Sequence, residues 1–139
     1  MKKKQIAKRL RKNLLLTFLV GSCLTFISIL VFYSKEIGSL EGNSGITIFI
    51  LAGIFWTLVL TLSSITVFFN LNDQVRHSKL LCFLTFFFLP LAVATIVFIL
   101  NDFEDMWQPF LIMTLSFLSV DTYFYIKFSK INFDELFNN

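Results

Sequence analysis

Asp121 is the only acidic residue inside a long apolar run of this 139-residue chain. A carboxylate in that setting can bind or relay a cation, pair with a basic side chain, or reach the wet headgroup layer. The basic candidates for pairing are Lys12, Arg76 and Lys79. Asp121 precedes Lys127 by six residues, which places it ~9 Å inside the end of its run if the run is helical. Counting inward from the matching ends of the other runs brings Thr17, Ser63, Thr66 and Thr85 to similar depth, and Thr122 adjoins Asp121. Asp121 and these five hydroxyls are the expected intramembrane polar layer. Other reactive groups are sparse. His77 sits beside Arg76 and Lys79 with no second ligand in view, so no metal site is expected. Cys23 and Cys82 would differ in depth by ~10 Å, too far for a disulfide, and no Cys-x-x-Cys pair is present. No catalytic motif or cofactor signature stands out, so neither an enzyme nor a cofactor is expected.

The elements that must position these groups are four apolar runs: Leu14–Tyr33, Ile46–Phe69, Leu80–Leu100 and Trp107–Phe128. They contain 20, 24, 21 and 22 residues, and a helix needs ~20 to cross the hydrocarbon core. The chain is 56% hydrophobic and 15% charged, whereas soluble domains carry about a quarter charged residues. The reading is an all-α membrane protein of one domain spanning residues 1–139. Its four transmembrane helices cover 14–33, 46–69, 80–100 and 107–128 and form an antiparallel bundle.

Lys and Arg orient the bundle. Seven precede the first run, from Lys2 to Lys12. Arg76 and Lys79 follow the second run, and Lys127 and Lys130 close the fourth. Only Lys35 falls on the other side, where Asp102, Glu104 and Asp105 also lie. Both termini are therefore expected in the cytoplasm. The Phe-, Asn- and Lys-rich composition suggests an AT-rich bacterial or phage genome, hence a bacterial inner membrane. Orientation and attraction to anionic lipid account for the basic tail, so the bilayer is its expected partner and nucleic acid is not. Ile6, Leu10 and Leu14 recur at helical spacing, which predicts that the tail prolongs the first helix along the headgroups. Residues 1–23 resemble a secretory signal ending Val20-Gly21-Ser22-Cys23. The apolar run continues past Cys23 to Tyr33, so an uncleaved helix is expected.

Small and hydroxylic residues suggest how the helices pack. Thr17, Gly21, Thr25 and Ser28 share one face of the first helix; Gly53, Thr57, Thr61 and Ser64 share one face of the second. Such faces let membrane helices approach closely, so these two stripes are expected to meet. Pro90 removes one backbone bond from the third helix and predicts a kink. Trp107 marks an interface, and Pro109 suits a first helical turn. Residues 131–137 read as a short interfacial helix.

Phe18-Leu19-Val20-Gly21 followed by Leu24-Thr25 resembles the first helix of the GtrA-like family, four-helix proteins linked to flipping lipid-linked sugars. The resemblance implies a flippase, and with the polar layer around Asp121 the alternative expectation is a GtrA-like flippase or a small transporter or channel. The family's Asn-x-x-x-Arg-x-x-Phe signature is absent after Phe69, where the chain reads Asn70-Leu71-Asn72-Asp73-Gln74. In layout the chain is also similar to four-helix proteins of bacterial conflict systems, both immunity proteins and membrane subunits of phage defence. That likeness implies a non-catalytic subunit acting by homo-oligomerisation or by binding a cytosolic or membrane protein partner, and it is the leading expectation.

Overall fold

The structure, a computed structural model, describes the backbone of residues 3–35, 40–100 and 107–137 and the side chains of 3–35, 44–100 and 107–130. In chain order the elements are α1 (Lys3–Phe32), α2 (Leu40–Ser63), a 3-10 segment (Ser64–Leu71), α3 (Asp73–His77), α4 (Lys79–Leu100) and α5 (Trp107–Phe137). No strand occurs among the described residues. Four helical stretches are long and apolar enough to cross a membrane: Lys3–Phe32, Ser44–Leu71, Lys79–Leu100 and Trp107–Lys130. In lipid a helix satisfies its own backbone polar groups, which is why apolar runs of this length take that form.

Two boundaries differ from the sequence reading. The basic tail prolongs the first helix as its spacing predicts, but its apolar residues are covered by protein. It is the first part of α1, and Ile6 and Leu10 are wholly buried. They pack with Val67, Cys82, Phe86, Phe87 and Phe128, which belong to three other elements. At the other end, residues 131–137 are no separate helix, because α5 runs unbroken to Phe137. The chain between α2 and α4 also carries structure that hydropathy does not reveal. Eight residues adopt the tighter 3-10 form, although runs beyond three or four are uncommon. A three-residue period puts Ser64, Val67 and Asn70 on one face, and all three are buried. Asn72 then caps α3 by accepting a bond from the Gln74 amide at 3.1 Å.

α1 packs most extensively against α5 and α2, while α4 lies chiefly against the 3-10 segment. Three apolar clusters follow one another through the interior. Ile29, Ile46 and Met113 form one; Leu60, Ala94 and Phe117 form the next; the Ile6–Leu10–Phe128 group forms the third. Pro90 is buried inside α4, which continues through it to Leu100. Cys23 is exposed and Cys82 buried, and both are free thiols.

Candidate functional site: a polar seam between α1, α2 and α5

The seam begins where helices come closest. A methyl group built on Gly53 would stand 2.7 Å from Thr25 Cγ2, 3.3 Å from Ile29 Cδ1 and 3.5 Å from Met113 Cγ. Built on Gly21, it would stand 3.2 Å from Thr57 Cγ2 and 4.0 Å from Phe117 Cδ2. Each glycine therefore admits a threonine of the facing helix and, behind it, a side chain of α5. Small residues permit such approach between membrane helices. Of the two small-residue stripes, Thr17, Gly21 and Thr25 are buried on α1 and Gly53, Thr57, Thr61 and Ser64 on α2 and the 3-10 segment. Ser28 turns instead to α5, where it meets the Ser116 hydroxyl at 3.5 Å.

Most hydroxyls along this seam give their proton to their own helix. Thr57 donates to the Gly53 carbonyl at 2.8 Å and Thr61 to the Thr57 carbonyl at 2.7 Å. Ser63 and Ser64 both donate to the Leu60 carbonyl, at 2.7 and 3.0 Å. Back-bonding of this kind satisfies a hydroxyl without a partner helix and tends to bend the helix that carries it. Both serines act on the carbonyl just before the α-helix gives way to the 3-10 form. At the far end of the seam Thr114 donates to the Phe110 carbonyl at 2.9 Å and accepts from Trp56 Nε1 at 3.1 Å, tying α2 to α5.

Asp121 is 3% exposed and occupies the buried stripe of α5 between Phe117 and Phe124. Its Oδ2 is buried without a hydrogen-bond partner, as is Thr25 Oγ1. Among the described residues no ion pair reaches Asp121. Arg76, one of the three basic candidates for pairing, is paired with Asp73 three residues before it.

The five hydroxyls placed at the depth of Asp121 separate. Thr17 is buried on the seam face of α1. Ser63 is buried and bonded to its own helix. Thr122 is exposed and donates to the Leu118 carbonyl at 2.7 Å, because one residue's step turns it about 100° away from Asp121. Thr66 and Thr85 belong to a second polar node, between the 3-10 segment and α4. Thr66 donates to the Thr85 carbonyl at 2.7 Å, and Thr85 donates to the Cys82 carbonyl at 2.7 Å. Asn70 completes that node. Its Nδ2 donates to Thr85 Oγ1 at 2.6 Å and to the Val67 carbonyl at 3.0 Å, while Oδ1 is buried without a partner. Sequence reasoning assigned Asn70 to the connection. The three-residue spacing of Ser64, Val67 and Asn70 was the available signal. His77 is exposed, and no group of three or more metal-ligating residues gathers among the described residues.

The fold and the seam define a class, an all-helical chain with four membrane-length helices and a buried acid. Compared with known protein families, curated proteins and solved structures, the chain matches none.

Proposed function

We propose that this protein is a small non-catalytic subunit of a bacterial inner membrane that acts through helix contacts, with copies of itself or with a protein partner. Its four helices form one antiparallel bundle with both termini in the cytoplasm, and a bacterial conflict system, phage defence or toxin immunity, is its setting. The observation that carries this reading is where the chain is spent. Every long element is a candidate span, and the segments between them are too short for a soluble domain. The outer face of the α1–α5 pair supports it further. There a groove of about 480 Å³ exposes Ser119 beside Ser28 and Ser116, among Leu24, Ile27 and Leu115. Hydroxyls on a face turned to lipid are characteristic of surfaces that meet another helix. The test is a Ser119→Cys variant in a Cys23→Ala background, oxidised in native membranes. A disulfide-linked dimer, or a trapped partner, is expected. Monomer alone, together with a monomeric mass in mild detergent, would remove the reading.

A second reading, transport of a small species, is favoured by one observation, the buried Asp121 carboxyl with an unpartnered oxygen. Liposome flux that disappears in Asp121→Asn is its expected result.

A further inference from the structure

The two close junctions of α1, α2 and α5 are related by a single step. From the Gly53 junction to the Gly21 junction, α2 advances from Gly53 to Thr57 and α5 from Met113 to Phe117, while α1 goes back from Thr25 to Gly21. Each move is four residues, which stays on one helix face and advances ~6 Å along the axis. One more step brings Thr61, Asp121 and Thr17 to a common level. All three are buried, at 6, 3 and 2% exposure.

This level is rich in acceptors and poor in donors. Thr61 has committed its proton to the Thr57 carbonyl and presents lone pairs. Asp121 adds an oxygen with no partner. An unpaired buried charge is strongly disfavoured, and one carboxylate is balanced by one positive charge.

We propose that Thr17, Thr61 and Asp121 form a binding site for one monovalent cation. The Asp121 carboxylate supplies the charge, and the hydroxyl oxygens of Thr61 and Thr17 supply neutral ligands. The chemistry is shared by a sodium ion, which takes hard oxygen ligands, and by a proton. A proton would sit on Oδ2, with the resulting O–H donating to a hydroxyl lone pair. Besides Asp121, the buried charged group among the described residues is Arg76 of α3, paired with Asp73; the faces of α1, α2 and α4 around this level present uncharged side chains. α1 presents Leu10, Thr17 and Gly21; α2 and the 3-10 segment present Thr61, Ser64 and Val67; α4 presents the Cys82 thiol among Phe86 and Phe87. Beyond them lie the half-buried Tyr125 and the exposed Lys12 and Lys127.

The site deepens the transport reading, but binding is measured on purified full-length protein without flux. A chain that binds and does not transport loses that reading alone. Thermal unfolding is followed in sodium, potassium and choline chloride at matched ionic strength. A sodium-dependent rise in Tm that saturates, vanishes in Asp121→Asn and weakens in Thr61→Val assigns sodium. A Tm indifferent to the cation assigns a proton when infrared spectra show a protonated carboxyl band that is absent from Asp121→Asn and displaced in Thr61→Val. An ionised carboxylate in the wild type with no cation-specific stabilisation overturns the site. So does a Thr61→Val variant that alters neither the sodium response nor the band. The wild-type readings stand even if a variant fails to fold.

Discussion

At the scale of single residues, contact distance separates glycines that look equivalent in the sequence. A methyl group on Gly53 would meet Thr25 at 2.7 Å, and both side chains it would crowd, Thr25 and Ile29, are themselves buried. Gly45, in the same helix, has nothing within 4 Å. Gly53→Ala is therefore expected to cost about 1–3 kcal/mol, the usual range for an extra methyl group forced into a packed interior. Gly45→Ala is expected to be neutral or better, because alanine favours helix over glycine. Reversible unfolding in mixed micelles measures both, and equal effects would contradict the packing described. Asp121 itself was legible as the lone acid of the apolar runs. Of the hydroxyls read at its depth, Thr17 keeps a buried place on the seam and three others do not. Depth arithmetic finds residues at one height, whereas contact needs height and face together. Thr122 fails on face, and Thr66 and Thr85 belong to another interface.

At the scale of elements, apolar length announced the four helices, but not the switch of α2 into a 3-10 segment. The two helical forms differ by one residue in hydrogen-bond span, and hydropathy does not sense that difference. The consequence falls on Asn70, which the tighter winding carries inward to Thr85. This node predicts an order of damage. Asn70→Leu loses the bond to Thr85 and also removes the unpartnered Oδ1, so the net cost is about 1 kcal/mol. Asn70→Asp is expected to be worse. It exchanges the donor for another acceptor beside Thr85, whose proton already goes to the Cys82 carbonyl. Ranking the two variants by unfolding checks this. An aspartate tolerated better than leucine would mean that a donor reaches this node from elsewhere.

At the scale of the whole molecule, eleven of twelve basic residues fall in segments assigned to one side, and the proposed orientation follows from them. Alkaline phosphatase, active only after export, is expected to be inactive when fused after Asn139 and active when fused in the connection after Leu100. The reverse pattern would invert the bundle. Charge and hydropathy made this level legible from sequence, while the inward path of the tail escaped it because Ile6 and Leu10 are separated by Lys8 and Arg9. That path has a consequence for biogenesis. α1 emerges from the ribosome before the other three long helices, and the helix it packs against most is α5, which follows α2 and α4 in the chain. Until α5 inserts, Phe128 is missing from the cluster around Ile6 and Leu10, and Gly21 and Gly53 lack Phe117 and Met113 behind them. These junctions thus close only when α5 arrives. A chain stopped after Leu100 would present unfinished interior to membrane quality control and would be short-lived in the cell.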